Sequence, residues 1–162
     1  SLGCMGNHES YAEAEEFAEA EGPRYGIEFL RDATRVVRRG EGQINFGGVD
    51  YQWTQARYLV GTERLLAAEM PNILLSHNPD VFPVAARQGW DFTISGHTHG
   101  GQVSLEIFKA NLTPARFITP YISGFYSQGP RSVYVTRGIG TVGVPMRVGA
   151  PPEVTLIKLC AI

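Results

Sequence analysis

The sequence predicts an α/β fold organised around parallel strands. Two short apolar runs, NILLS at 72–76 and DFTIS at 91–95, indicate buried strands, and residues 78–89 between them indicate a short helix. A strand, a helix and a second strand in this order form a βαβ unit, in which the two strands are parallel. Each of these strands is followed within two residues by a histidine, His77 or His97. The predicted fold therefore places chemically active side chains at strand ends.

The first half of the chain adds one strand, two helices and a β-meander to this unit. Residues 1–7 predict the first strand, and Ser10 is expected to cap a helix that ends near Glu21, before Gly22 and Pro23. Residues 26–53 predict a β-meander with strands at 33–39 and 43–53. Residues 55–70 predict a second helix with an inward apolar side formed by Leu59, Val60, Leu65 and Leu66.

The second half adds an aromatic, turn-rich region and two closing strands. Residues 103–130 predict an irregular hairpin, and residues 131–136 and 153–159 predict the last two strands. The aromatic stretch from Phe108 to Tyr126 has two interpretations: it covers a sheet edge, or it lines a groove for an acyl chain. The second interpretation would suit a lipid-linked substrate.

Length and charge limit the classes of partner. A chain of 162 residues is expected to form a single domain, and its net charge of −2 gives no electrostatic reason to expect nucleic acid as the main partner. No apolar run approaches the ~18 to 20 residues that a membrane span requires.

The four histidines of the chain all follow predicted strands: His8, His77, His97 and His99. Loops at the carboxyl ends of strands converge over the sheet and form the usual ligand crevice of open α/β folds. Imidazole is a good ligand for zinc, manganese and iron, and Asn7 offers a neutral amide oxygen beside it. His97 and His99 are two residues apart, so in an extended segment they point to one side and can bind one ion or two neighbouring ions. A metal site is therefore expected.

Three ordered motifs carry a resemblance to a known family. The segments GNHE at 6–9, SHNPD at 76–80 and GHTHGGQ at 96–102 resemble those of the calcineurin-like metallophosphoesterases. Further segments, SGFY at 123–126, RGIGT at 137–141, VPMR at 144–147 and PPE at 151–153, are similar to a bacterial branch that includes envelope-associated phosphoesterases and UDP-2,3-diacylglucosamine pyrophosphatases. The resemblance implies a four-layer αββα arrangement, a β-sandwich flanked by helices, over residues 1–162.

The resemblance also implies a role for each motif residue. Asn7, His77 and His97 match ligands of one metal, His99 matches a ligand of a second, and His8 matches the proton donor to the leaving group. Glu9 is expected to shape its loop. Arg137 and Arg147 are candidates for contact with substrate phosphate. The implied enzyme is a hydrolase, for example a phosphodiesterase, with two divalent ions such as manganese, iron or zinc.

The substrate and compartment follow from the same resemblance. It implies a phosphorylated small molecule or a lipid-linked substrate, the latter with peripheral membrane association. The bacterial cytoplasm and the cell envelope both remain open.

The chain also departs from the family pattern. It lacks the earlier D-x-H and G-D-x-x-D motifs, which supply further ligands and the bridging carboxylate. We therefore expect residues 1–162 to correspond to the C-terminal two-thirds of the family domain, to bind at most one metal well and to be a poor catalyst alone. The alternatives are an impaired chain that keeps the fold and binds one metal or a partner protein, and a structural zinc site built from the four histidines.

Overall fold

The secondary structure alternates short strands with short helices. A computed structural model of the protein describes residues 1–107 and 110–160. The strands of this part are β1 (Leu2–Gly3), β2 (Glu28–Phe29), β3 (Ala33–Arg39), β4 (Gly42–Gly48), β5 (Asn72–Leu75), β6 (Phe92–Ser95), β7 (Leu105–Ile107), β8 (Ala110–Leu112), β9 (Gly124–Gln128) and β10 (Arg131–Val135). The α-helices are α1 (Asn7–Tyr11), α2 (Glu15–Glu21) and α3 (Phe82–Gln88).

A six-stranded mixed sheet with the order β3-β4-β5-β6-β10-β9 organises the molecule. The neighbours β4, β5, β6 and β10 run parallel, whereas β3 and β9 are antiparallel to their single neighbours. β1 pairs with β2 in parallel, and β7 pairs with β8 antiparallel. This arrangement confirms the predicted α/β class. Because parallel strands end at the same edge, the loops after β4, β5, β6 and β10 come together there.

The predicted βαβ unit is confirmed as β5, α3 and β6. The side chain of Asn78 accepts a hydrogen bond of 3.0 Å from the backbone N–H of Asp80, which caps the 3-10 turn that leads into α3. The helix ends at Gly89, whose φ of 110° an L-residue rarely adopts. Ala85 of α3 is buried against Leu74 of the sheet and against Trp90. The hydrogen-bonded pairing of β5 with β6 fixes their spacing, and burial of these apolar groups holds α3 against the sheet.

The first predicted helix is divided in the structure. α1 and α2 are separated at Glu13, whose φ is 51°, and Ser10 lies inside α1 rather than at a cap. The apolar side chains of Tyr11 in α1 and Phe17 in α2 are 69% and 70% exposed. The end of the helix at Glu21 is as predicted.

The predicted continuous helix over residues 55–70 is wrong. This segment contains two 3-10 helices, with Leu59 at φ 54° and Gly61 at φ 76° between them. A left-handed residue cannot continue a right-handed helix. Leu59 is still buried, but Val60, predicted to face inward, is 74% exposed. The amide of Gln88 donates to the carbonyl of Leu59 at 2.7 Å, which satisfies a backbone group that helix formation would otherwise use.

The predicted strand at 153–159 is also wrong, since residues 151–160 adopt no strand or helix. Val154 and Leu156 are 91% and 95% exposed. Their alternation with polar residues is typical of a strand, but a strand also needs a hydrogen-bonding neighbour.

The region predicted as an irregular hairpin contains the β7–β8 pair and β9, which pairs with β10 rather than within the region. Tyr121 and Tyr126 pack near Phe82, whereas Phe117 is 95% exposed. Phe108 lies outside the described residues. In residues 1–107 and 110–160 no helix has both the length and the apolar composition needed to cross a bilayer.

β3 is the outermost strand of the described sheet on its side. All but its first residue are exposed, on both faces of the strand. Its antiparallel pairing with β4 confirms two strands of the predicted meander, although β4 ends at Gly48 rather than at residue 53.

Candidate metal centre

The motif residues converge at the carboxyl edge of the parallel strands. His77 follows β5, His97 and His99 follow β6, and Asn7 opens α1 after β1. The amide oxygen Oδ1 of Asn7 lies 3.1 Å from Nε2 of His77. The ring centroids of His77 and His97 are 5.0 Å apart. His77 therefore contacts both of the other predicted ligands of the same metal.

Burial keeps the two contacting imidazoles neutral. The pKa of His77 is lowered to about 4, mainly by burial and then by the neighbouring His97, His99 and His8. Burial also lowers the pKa of His97, although the charge of Asp80 opposes this effect. Only the neutral ring has a free lone pair for a metal. At neutral pH both rings are thus in the protonation state that a metal ligand needs.

Tyr51 belongs to the site but was missed from the sequence. Its hydroxyl lies 3.3 Å from Nε2 of His97, and the two ring centroids are 5.5 Å apart. Burial, and after it the neighbouring Tyr11, raises the pKa of Tyr51 to about 12, so the phenol stays protonated at neutral pH. The available signal was position: Tyr51 follows β4, which is parallel to the strands that lead to the histidines.

The turn that carries His97 and His99 is unusually strained. His97 has a φ of 73° and His99 a φ of 52°, a region in which non-glycine residues cost about 1–3 kcal/mol each. Gly100 follows with a φ of 63°, and a Cβ atom there would lie 2.5 Å from Cγ of Arg137. Thr98 fastens the turn by accepting a hydrogen bond from the N–H of Gly100 at 3.3 Å and donating to the carbonyl of Ile122. The fold thus holds two imidazoles in a conformation that a free chain avoids.

His99 is held by the loop that follows β10. Its Nδ1 lies 3.1 Å from the carbonyl oxygen of Gly140, which fixes the ring through a backbone acceptor. Arg147 donates from Nε to the same carbonyl at 3.1 Å and from Nη1 to the carbonyl of His99 at 3.1 Å. It also donates to the carbonyls of Arg137, Gly138 and Ala150. Arg147 thus ties the loop to the histidine turn.

Arg137 lies behind the same turn and pairs with Glu153. Its Nε donates to the carboxylate at 2.6 Å, and its backbone N–H donates at 3.1 Å. Both predicted phosphate-contacting arginines therefore already have protein partners. Direct contact of Arg137 and Arg147 with substrate stays a prediction.

A cavity of about 280 Å³ adjoins the motif residues. Its lining includes the motif residues Asn7, His8, His97 and His99, together with Ala115, Ile118, Thr119 and Val142. His8 is exposed, and it lines this cavity one position after Asn7. The carboxylate of Glu9 instead accepts a hydrogen bond of 2.8 Å from the backbone N–H of Gly6. This contact agrees with the expectation that Glu9 shapes the loop.

The donor set fits one divalent ion. Two ligands at ~2.0–2.1 Å from the same ion lie about 3 to 3.5 Å apart, and the Asn7–His77 distance of 3.1 Å falls in this range. An amide oxygen with two neutral imidazoles suits manganese, zinc or iron. Within residues 1–107 and 110–160, no three side chains from His, Cys, Asp and Glu gather closely enough to hold an ion by themselves. An ion held by His77 and His97 would therefore take a third protein donor from Asn7.

Several curated proteins are similar in sequence to this chain over most of its length. The phosphodiesterase YaeI of Escherichia coli is 31% identical over 135 residues, which is 83% of this chain and 48% of that protein. The uncharacterized metallophosphoesterase YkuE of Bacillus subtilis is 32% identical over 80% of this chain and 42% of its own length. An uncharacterized metallophosphoesterase of Aquifex aeolicus is 32% identical over 96% of this chain and 59% of its own length.

The chain thus spans about half the length of the curated relatives it matches, from 42% to 59% in these three. No family profile matches the chain, and no solved structure matches it. The assignment of the chain therefore depends on these relatives together with the geometry of the site.

Proposed function

The chain belongs to the calcineurin-like metallophosphoesterase superfamily, and from this premise we propose that it catalyses metal-dependent hydrolysis of phosphoester or pyrophosphate bonds. The observation that carries the proposal is the contact of Asn7, His77 and His97 beside a cavity that His8 and His99 also line. The substrate is a phosphorylated small molecule, since the cavity of about 280 Å³ is of a size suited to small ligands.

The contacts support a set of metal ligands. Asn7, His77 and His97 hold one divalent ion, and His99 is the ligand available to a second. The chemistry that divalent ions supply in such sites is neutralisation of phosphate oxygens and activation of water as a nucleophile. To bind a metal, His97 would give up its hydrogen bond with the Tyr51 hydroxyl, because the metal needs the same Nε2 lone pair.

His8 is the proton donor in this proposal. It is exposed, it lines the cavity, and it directly follows a metal ligand in the chain, so its ring is within reach of a phosphoester held there. Protonation of the leaving oxygen at the moment of bond cleavage contributes typically about 10²- to 10⁴-fold to the rate.

A second candidate function is a one-metal protein with little turnover. One observation favours it. The described residues contain no third His, Cys, Asp or Glu close enough to His77 and His97 to hold an ion with them. A dinuclear centre needs carboxylates to balance the charge of two ions. Such a protein would bind one ion and phosphate but would release product slowly.

One experiment distinguishes the two candidate functions. Hydrolysis of bis-p-nitrophenyl phosphate and p-nitrophenyl phosphate with manganese is measured for the wild type, His97→Ala and His99→Ala, and bound metal is counted by calorimetry. Loss of an outer-shell partner costs about 10- to 100-fold, so His97→Ala should lose at least about 100-fold in rate. Val154→Ala, at a residue that is 91% exposed, controls for handling of the protein.

Each result has a defined meaning. Two bound ions, with one lost in His99→Ala, support the dinuclear enzyme. One bound ion in both the wild type and His99→Ala, with slow turnover, supports the second candidate. Equal rates in the wild type and His97→Ala contradict the proposed enzymatic site.

A further inference from the structure

Three aromatic side chains extend from the candidate metal centre to the surface, and we call Tyr51, Trp53 and Tyr11 the aromatic arc. Tyr51 and Trp53 pack edge to face with ring centroids 4.8 Å apart, and Trp53 packs in the same way on Tyr11 at 5.1 Å. The inner end of the arc contacts His97, at 5.5 Å from Tyr51. The outer end returns to His8, whose ring lies 6.1 Å from Tyr11.

The exposure of the arc is not explained by the fold. Trp53 is 55% exposed and Tyr11 is 69% exposed, although both belong to residue types that normally bury most of their apolar area. They do not support the sheet core, which is formed by other residues such as Leu74 and Trp90. A contiguous group of exposed aromatic rings beside a site is typical of a binding surface.

We propose that the aromatic arc binds a planar aromatic group attached to the substrate phosphate, such as a nucleobase or an aryl group. Flat rings stack on aromatic side chains with little dependence on ring identity, because every such ring has a π-face. Since both ends of the arc contact histidines of the candidate site, a ring held on Trp53 stays close to a phosphate in the cavity. The inference rests on the proposed function for the position of that phosphate, and it adds the substrate class.

The charges nearby disfavour the other occupants of an exposed aromatic surface. α1 and α2 contain Glu9, Glu15, Glu16, Glu19 and Glu21 and no lysine or arginine. Glu19 and Glu21 pair with Arg31 and Arg24, but neither helix supplies the basic segment that attracts an anionic bilayer. The net charge of −2 likewise disfavours a long nucleic acid, whose binding depends on phosphate neutralisation over many residues. A small ligand with one ring needs neither a basic segment nor neutralisation of many phosphates, and its single phosphate would lie at the candidate metal centre rather than beside these glutamates.

Tryptophan fluorescence offers a direct test in the presence of a chelator, so that no turnover contributes. The chain has two tryptophans, Trp53 at 55% exposure and Trp90 at 1%, and only the first can be quenched by a stacked ligand. We expect adenosine monophosphate and phenyl phosphate to quench the signal and ribose 5-phosphate to leave it unchanged. Trp53→Phe, which retains only Trp90, should show no quenching.

Calorimetry on variants supplies the second measurement. Trp53→Ala and Tyr11→Ala should weaken adenosine monophosphate binding by about five-fold or more, the lower bound for loss of one stacking side chain. Tyr25→Ala is the matched control, because Tyr25 is 78% exposed and is not part of the arc. Both arc residues are exposed, so neither variant should lose its fold.

The outcomes separate this inference from the proposed function. Equal affinity for adenosine monophosphate and ribose 5-phosphate, or no effect of Trp53→Ala, overturns the inference. Binding of phosphatidylglycerol vesicles that is lost in Trp53→Ala, without an aromatic preference among phosphates, overturns it too. Aromatic preference without manganese-dependent hydrolysis supports the inference and contradicts the proposed function. Manganese-dependent hydrolysis without aromatic preference contradicts the inference and supports the proposed function.

Discussion

The amide oxygen of Asn7 lies 3.1 Å from Nε2 of His77, although 70 positions separate the two residues in the chain. A neutral oxygen and a neutral nitrogen are held together here at the mouth of a cavity. A hydrogen bond accounts for the contact when Nε2 carries the proton. A shared divalent ion, bound by the deprotonated nitrogen, accounts for the same distance.

Substitution of Asn7 tests whether a hydrogen bond or a shared metal ion explains this contact. Asn7→Ala removes one donor atom and should weaken manganese binding by at least about ten-fold, as measured by calorimetry. Asn7→Asp keeps an oxygen at the position and adds a negative charge, so it should bind manganese at least as tightly as the wild type. Equal affinity in all three proteins would show that the contact is only a hydrogen bond.

Arg147 is predicted to stabilise the loop that holds His99. Lysine keeps the charge but cannot donate from a planar fork to several carbonyl oxygens. Arg147→Lys should therefore lower the free energy of unfolding by about 1–3 kcal/mol in urea denaturation. Arg38→Lys is the matched control, because the exposed Arg38 has one side-chain hydrogen bond, to Gln43, and should change stability by less than about 0.5 kcal/mol. A similar loss in both variants would contradict the role given to Arg147.

Two glycines with almost the same φ separate backbone strain from steric contact. Gly100 has a φ of 63° and would place a Cβ atom 2.5 Å from Cγ of Arg137, whereas Gly40 has a φ of 59° and open space. Gly40→Ala should cost about 1 kcal/mol of unfolding free energy, the strain of an L-residue in this region. Gly100→Ala adds a clash and should cost about 2–4 kcal/mol. Thermal unfolding of both variants measures the difference, and equal losses would argue against close packing of Arg137 on the turn.

Glu153 should make the stability of the chain depend on acid pH. Burial of this carboxyl, whose side chain is 14% exposed, opposes its charge, but hydrogen bonds from Arg137 and Tyr134 outweigh burial and lower its pKa to about 2. A folded-state pKa below the usual value means stability that is complete above about pH 4.5 and is lost as the pH falls towards 2. The stability advantage of the wild type over Glu153→Gln in urea should shrink across this window. An advantage that stays constant from pH 6 to about pH 2.5 would exclude the effect.

The positions where β5 and β6 end could be predicted from the sequence because they depend on local patterns. NILLS and DFTIS are short, β-branched or aliphatic runs bounded by turn residues, and they became β5 and β6. Since parallel strands end at one edge, the meeting of His77 and His97 followed from topology alone. Asn7 was a candidate ligand from its amide oxygen beside His8, but its grouping with His77 and His97 depended on the family resemblance.

Other features depended on backbone choices that periodicity does not encode. Leu59 adopts a left-handed conformation and is buried, which the apolar pattern of a helix cannot reveal. The alternation at 153–159 indicates a strand, yet strand formation also depends on a neighbour with free hydrogen-bonding groups. Tyr51 could have been found by topology, since it follows a parallel strand, but its chemistry is less distinctive than that of histidine.

The outer strand β3 has a consequence for the behaviour of the chain in solution. A strand with one unpaired row of N–H and C=O groups is a template on which a second chain can add a strand of its own. Arg38 and Arg39 lie along it, beside Arg35, which pairs with Glu28, so two such edges repel one another on approach. Because the Debye length falls to about 3 Å at 1 M salt, concentrated salt screens this repulsion. We therefore expect edge-to-edge association through β3 to increase with salt concentration.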